Sequence, residues 1–289
     1  MSTPPRPAGA GGSAAMAERL VRYMHPDRST PYLADAGPET LAAALGLAPA
    51  VYQEQVDAFD QQARAEAAEL MGVPAVAERI HRLPFQKGQT VLVLGESDTA
   101  DRLSWAEVLG HVLKQWEDIR VANAAVSGQT STEALARWAA TLRQAGRVDW
   151  VLCKLGTNDA RRIAEGATLV GLEETRRNLS LLRALAGPTG ARWVWLTPHP
   201  VDERRIAEAP GFRHTGSRWH NSDLAAVADG IRQRPETVVD LDPVFVPDEC
   251  PQLLAADGLH PTTEGQRVIL AALIDALAGA AAGSQPGTV

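Results

Sequence analysis

The chain has 289 residues, of which 45% are hydrophobic and 22% are charged, so it can bury a sizeable core and disorder is not its default state. A formal net charge of −7 without a dense basic stripe argues against nucleic-acid binding, and no apolar run reaches the roughly 20 residues of a membrane span. The two cysteines and the lack of metal-ligand spacing predict neither a disulfide framework nor a metal or other cofactor. The N-terminus lacks the apolar segment of a secretory signal, which predicts a cytoplasmic protein.

The N-terminal part of the chain is predicted to be helical. Residues 1–15 and 281–289 are rich in Pro, Gly, Ala and Ser, and both segments are predicted to be disordered tails. Residues 16–85 follow helical periodicity and form a predicted helical extension. The sequence assigns this extension no chemistry. It could pack on a sheet edge, cover a pocket or join two copies in a homo-oligomer.

From residue 86 to 280, strand-like and helix-like segments alternate. Ser104 with Glu107 and Thr130 with Glu133 each form a predicted capping box at the start of a helix. The alternation predicts a three-layer α/β/α sandwich with a flavodoxin-like, five-stranded parallel sheet. Residues 198–220 show neither period, which favours a long loop lining a site. The predicted strands are QTVLVL at 89–94, RVANAAV at 120–126, WVLCKL at 150–155, RWVWLT at 192–197 and TVVDL at 237–241. Three tryptophans at helical spacing are predicted core residues: Trp105, Trp116 and Trp138.

Short polar segments follow three of the strands and precede the last helix, and the ends of parallel strands meet at one edge of the sheet. These segments are GESDT at 95–99, NAAVSGQT at 123–130, GTND at 156–159 and DGLHP at 257–261. Ser97 is the candidate nucleophile, but a hydroxyl needs a base to remove its proton. His260 is the candidate base, and Asp257, one helical turn earlier, can orient its imidazole. Gly128 and Asn158, together with the Ser97 amide, are candidate donors to an oxyanion.

The four segments, in this order, resemble the blocks of the SGNH (GDSL-type) hydrolase family over roughly residues 89–279. The resemblance implies Ser97 as nucleophile and oxyanion donor, Gly128 and Asn158 as further donors, His260 as base and Asp257 as its partner. The chain departs from the family where Glu96 replaces the usual aspartate, and we expect Glu96→Asp to raise or preserve kcat/KM. Asp98 is expected to place negative potential near the site and to disfavour anionic acyl groups.

The function expected from these residues is a serine-dependent ester or thioester hydrolase that acts through an acyl-enzyme on a small acylated substrate. Two alternatives remain open: a catalytically weakened binding or scaffold protein on the same fold, and an acyltransferase that uses the same site. Arg161 and Arg162 could meet an anionic substrate group or be a solvated pair at a helix start. His199 and His220 are interpreted as surface or pocket-wall residues, and Cys153 as a small buried hydrophobe.

Overall fold

The fold is built around a five-stranded sheet. The computed structural model describes residues 10–114, 119–163 and 166–283. In the central sheet every neighbouring pair of strands is parallel, and the order β2-β1-β3-β5-β7 confirms the flavodoxin-like prediction. Strands β4 and β6 form a separate antiparallel pair. The strands are β1 (Thr90–Gly95), β2 (Arg120–Asn123), β3 (Trp150–Lys154), β4 (Arg162–Ile163), β5 (Arg192–Leu196), β6 (Ser217–Arg218) and β7 (Thr237–Val239).

The helices fall into an N-terminal group and a group that connects or follows the strands. The first group is α1 (Ala10–Tyr23), α2 (Pro26–Ser29), α3 (Pro38–Ala44), α4 (Pro49–Met71) and α5 (Pro74–Ile80). The second group is α6 (Ser97–Ala100), α7 (Trp105–Leu113), α8 (Ser131–Ala145), α9 (Leu172–Leu185), α10 (Glu203–Glu208), α11 (Pro210–Thr215), α12 (Asn221–Arg232) and α13 (Thr263–Gly283).

Alternate residues of the strands build two separate cores, because successive side chains of a strand point to opposite faces. Val91 and Val93 of β1 face a core that contains residues of α7 and α13. Leu92 and Leu94 face a second core with residues of α8, α9 and α12. Both faces of the sheet are therefore covered, as in a three-layer sandwich.

The helical extension shares the first of these cores. Tyr52 and Phe59 of α4 are buried in the same cluster as the residues of α7 and of the sheet face. Polar contacts reinforce the packing, since the Arg267 guanidinium of α13 contacts both Glu66 and Glu69 of α4. The extension is thus packed over α7 and α13 rather than held apart from the sheet.

The helix ends, the segment 198–220 and the tryptophans can be compared with the expectations from the sequence. Helix α1 begins at Ala10 and α13 ends at Gly283, so both reach into segments predicted to be tails. The predicted long loop 198–220 contains α10, α11 and β6, since these elements are too short to produce a periodic pattern. Trp105 and Trp138 are buried as predicted, whereas Trp116 lies outside the described residues. In the part of the chain that the structure describes, no helix has both the length and the apolar content that crossing a bilayer requires.

Candidate active site

The serine of the first polar segment begins the short helix α6, directly after β1. Glu96 has extended backbone angles, and its carbonyl accepts the amides of Thr99 and Ala100 at 3.1 and 2.7 Å, which closes the turn. Ser97 is partly exposed at the carboxyl edge of the sheet. Its Oγ lies 2.9 Å from Nε2 of His260.

The segment that carries His260 is a tight turn stabilised by its own aspartate. Asp257 Oδ1 accepts the amides of Leu259 and His260, both at 3.0 Å, and Oδ2 lies 2.7 Å from His260 Nδ1. The single helical turn expected for residues 257–260 is therefore wrong. Gly258 has a φ of +75°, and a Cβ there would come within 2.6 Å of the Asp202 carbonyl oxygen, so the chain follows a glycine-dependent turn instead.

This turn also sets the charge of Asp257. Burial by itself would raise the pKa of the carboxyl, but the bond from His260 and the two backbone amides outweigh it and lower the pKa to about 2. The aspartate is consequently ionised at neutral pH. An ionised carboxylate accepts a proton-bearing Nδ1, which leaves Nε2 of the neutral imidazole free to accept from Ser97.

The two predicted oxyanion donors, Gly128 and Asn158, line the same cavity as Ser97. Gly128 has a φ of +78°, a conformation that glycine adopts without strain. Asn158 Nδ2 donates to Glu96 Oε2 at 2.9 Å and to the carbonyl oxygen of Gln129 at 3.2 Å. Both amide hydrogens of Asn158 therefore already have acceptors, and the weaker of the two bonds is the one to Gln129.

Glu96 has a role that the sequence did not reveal, because its carboxylate holds the loop that follows β3. Oε1 accepts the amides of Gly156 and Thr157, and Oε2 accepts both the amide and the side-chain Nδ2 of Asn158. Burial, followed by the nearby charge of Asp98, raises the pKa of Glu96 to about 8, while these donors favour the ionised form. The side chain thus ties the nucleophile turn directly to Asn158.

Asp98 does not face the cavity. Its carboxylate forms an ion pair with Lys154 and lies 3.6 Å from His199 Nε2, and all three side chains are buried. Burial would raise the pKa of Asp98, but Lys154 and His199 outweigh it and hold the pKa well below its usual range. Lys154 therefore offsets the negative charge of Asp98 that the sequence leads us to expect near the site.

Of the remaining residues noted in the sequence, His199, Cys153 and Asp159 are buried and His220 is exposed. His199 is buried and stacks on Phe245 with ring centroids 4.6 Å apart, so it is not a surface residue. It lines a small cavity with Ser97 and His260, in agreement with the pocket-wall interpretation. His220 is exposed and contacts Glu203. Cys153 is fully buried in β3, and burial raises the pKa of its thiol, which confirms the interpretation as a small core residue. Asp159, the last residue of GTND, is buried and accepts the Ser131 amide at 2.8 Å, so it anchors the first turn of α8.

A cavity of about 570 Å³ opens in front of Ser97 and His260. One wall comes from α1 and the residue after it, which contribute Met16, Leu20 and Met24 at four-residue spacing. The other wall comes from the segment 209–212 and from Trp219. The prediction that residues 198–220 line a site is correct. Covering of the pocket, one of the roles left open for the extension, is found for α1, whereas a homo-oligomer contact stays a prediction.

Contacts of α1 with Asp101, directly after α6, and with the loop after β2 fix that wall. The Arg22 guanidinium makes two bonds to Asp101, at 2.8 and 2.7 Å, and Ser127 Oγ donates to the carbonyl of Tyr23 at 2.6 Å. The ring of Tyr23 lies 5.6 Å from that of His260, centroid to centroid. Sequence reasoning missed these residues. The only signal was the apolar repeat of α1, which equally predicts burial in a core.

A parallel sheet that brings a serine, a histidine, a glycine and an asparagine together at its carboxyl edge defines an SGNH-type hydrolase. Residues 88–268 match the model of the GDSL-like lipase/acylhydrolase family, and the chain belongs to this family of hydrolases.

Solved structures show the same fold. LAE5, an α/β hydrolase from the metagenome of Lake Arreo in Spain, is 21% identical with a TM-score of 0.50, over 68% of this chain and 97% of its own. A catalytic mutant of Axe2, an acetylxylan esterase from Geobacillus stearothermophilus, is also 21% identical with a TM-score of 0.50, over 67% of this chain and 95% of its own. No curated protein matches the chain.

Proposed function

We propose that the protein is a serine esterase or thioesterase that hydrolyses a small acylated substrate through an acyl-enzyme. The observation that carries the proposal is the continuous relay from Ser97 through His260 to Asp257, with bonds of 2.9 and 2.7 Å, open to a cavity large enough for a small ligand. Membership in a family of acylhydrolases supports the same reaction class.

In the first half of the reaction, Ser97 Oγ attacks the carbonyl carbon while His260 Nε2 takes the hydroxyl proton. Asp257 stabilises the imidazolium that forms, since its ionised carboxylate lies against Nδ1. The oxyanion accepts from the amides of Ser97 and Gly128 and from Asn158 Nδ2, which exchanges its 3.2 Å bond to Gln129 for a bond to the oxyanion.

The second half regenerates the enzyme. His260 Nε2–H gives its proton to the departing alkoxide or thiolate, so the carbon–heteroatom bond breaks and the acyl group remains on Ser97. A water molecule then attacks the acyl carbon as His260 takes its proton, and Ser97 leaves with a proton from His260. Glu96 contributes by fixing the position of Asn158 relative to the nucleophile turn.

A fluorophosphonate probe tests this mechanism, because it phosphonylates a serine only when a base activates the hydroxyl. We expect labelling of the wild type and none of Ser97→Ala. The matched control is Ser127→Ala, a second serine of the same cavity whose hydroxyl donates to the Tyr23 carbonyl and should leave labelling in place. A folded wild type that is neither labelled nor active on p-nitrophenyl esters would contradict the proposal and favour a scaffold protein.

A further inference from the structure

Two adjacent arginines follow the GTND segment, and the structure gives them different surroundings. Arg162 lies in β4 rather than at a helix start, and its guanidinium makes two bonds to Asp223, at 2.7 and 3.0 Å. Arg161 instead lines the cavity in front of Ser97. Within residues 10–114, 119–163 and 166–283, no carboxylate lies within ion-pair distance of Arg161.

The guanidinium of Arg161 is held in one orientation. Nε and Nη2 both donate to Ser217 Oγ, at 3.0 and 2.6 Å, and Ser217 is buried and contacts Thr215 Oγ1 at 2.7 Å. The guanidinium carbon lies 5.6 Å from the ring centroid of Trp219, a second cavity residue. Because the two bonds to Ser217 use two of the five N–H donors, the remaining donors are fixed in direction and available to a ligand.

The charge balance of the cavity wall favours an anion. Arg19 of α1 adds a second cation to the lining, and the acidic residue among the described lining residues is Asp257, which is bonded to His260. Asp98 follows Ser97 in α6, and its buried carboxylate is paired with Lys154. Most other lining side chains are apolar and cannot neutralise a guanidinium, so a positive charge faces the substrate.

We propose that Arg161 forms an anion-binding subsite, and that the substrate is an ester or thioester with a carboxylate or phosphate group in its acyl or alcohol part. This inference rests on the proposed hydrolase function. The planar guanidinium matches the paired oxygens of both anions, whereas the apolar walls accommodate the carbon chain between the anion and the reacting carbonyl.

The test compares esters that differ in charge. For the acyl part the pair is mono-p-nitrophenyl pimelate and p-nitrophenyl heptanoate. For the alcohol part, 4-acetoxybenzoate and 4-acetoxyphenyl phosphate are compared with phenyl acetate. We expect Arg161→Gln to lower kcat/KM by about 10- to 100-fold on at least one anionic ester and by less than about 3-fold on its neutral partner, as for loss of a charge-assisted hydrogen bond. The ester that is affected identifies where the anion resides and whether it is a carboxylate or a phosphate.

Two further variants control the comparison. Arg162→Gln removes the neighbouring cation, which Asp223 already pairs, and should leave the ratio of anionic to neutral rates unchanged. Arg161→Lys keeps the charge and should retain part of the preference. Equal losses on charged and neutral esters in every pair would overturn the subsite while leaving the hydrolase intact. Hydrolysis of no ester at all, by wild type or variant, would overturn both proposals, and the fluorophosphonate result would separately show whether Ser97 is activated.

Discussion

Replacing Lys154 by methionine should destabilise the fold more than any exposed charge removal. Lys154 and Asp98 have side chains that are 1% and 8% exposed, and they form an ion pair in which Asp98 directly follows Ser97 in the chain. Methionine has a similar volume, so the substitution removes the charge and largely preserves the packing. It leaves Asp98 buried near the Glu96 carboxyl, with the His199 imidazole at 3.6 Å as the group that can still take up a compensating positive charge.

The expected cost follows from this burial. Removing one partner of a buried ion pair costs about 3–5 kcal/mol, because the other charge remains without compensation. His199 can take up a proton and offset part of this charge, so we expect a loss of about 3 kcal/mol. The double variant Asp98→Asn/Lys154→Met removes both charges and should recover more than half of the loss, since neutral replacements of buried pairs are often tolerated.

Urea unfolding followed by circular dichroism measures these free energies. The matched control is Arg64→Met, which breaks the exposed pair between Arg64 and Asp60, 66% and 47% exposed, and should change stability by less than about 0.5 kcal/mol. The pH dependence gives a second readout. In the wild type the pKa of Asp98 is lowered, so its stabilising contribution is present above the unfolded pKa of about 4 and is lost as the pH falls.

In Lys154→Met, the contribution of Asp98 to stability should depend on pH with the opposite sign. Without Lys154, burial raises the pKa of Asp98, so protonation relieves the buried charge and the difference from the wild type shrinks as the pH falls toward about 4. The reasoning is refuted if Lys154→Met costs less than about 1 kcal/mol at neutral pH, or if the double variant is as unstable as the single one.

Three further predictions concern activity. Asp257→Asn should lower kcat on p-nitrophenyl esters by about 1,000-fold, because an amide neither holds the His260 tautomer nor stabilises its charged form, and a loss below 10-fold would exclude this role. Glu96→Asp should lower kcat/KM by about 10-fold, contrary to the expectation from the sequence, because the shorter carboxylate withdraws from Asn158. Unchanged kinetics would show that the bonds from Glu96 do not position Asn158 for catalysis. Leu20→Trp should fill the cavity beside α1 and reduce kcat/KM on p-nitrophenyl heptanoate at least about 10-fold more than on the acetate, whereas equal effects on both esters would remove α1 from the substrate-binding wall.

Much of the sheet and the identity of the site segments follow from local sequence. Buried parallel strands appear as continuous apolar runs, so β1 and β3 were predicted within a residue or two, and their ends lie at one edge by topology. The capping box of Thr130 and Glu133 is confirmed, because both of its bonds are local. At Ser104 only half of the predicted box forms, since the Glu107 carboxylate contacts Arg28 of the extension instead.

What the sequence by itself determined is therefore the five strands of the central sheet, the long helices between them and the segments that carry Ser97, Gly128, Asn158 and His260. These features depend on residues close together in the chain. Tertiary structure alone decided the partners of the charged side chains. Glu96 binds the loop 156–158, Lys154 neutralises Asp98, and α1 covers the cavity in front of Ser97. In each case more than fifty residues of chain separate the two partners. Such contacts have no periodic signature, since they arise only when the packed layers bring distant segments to the same edge of the sheet.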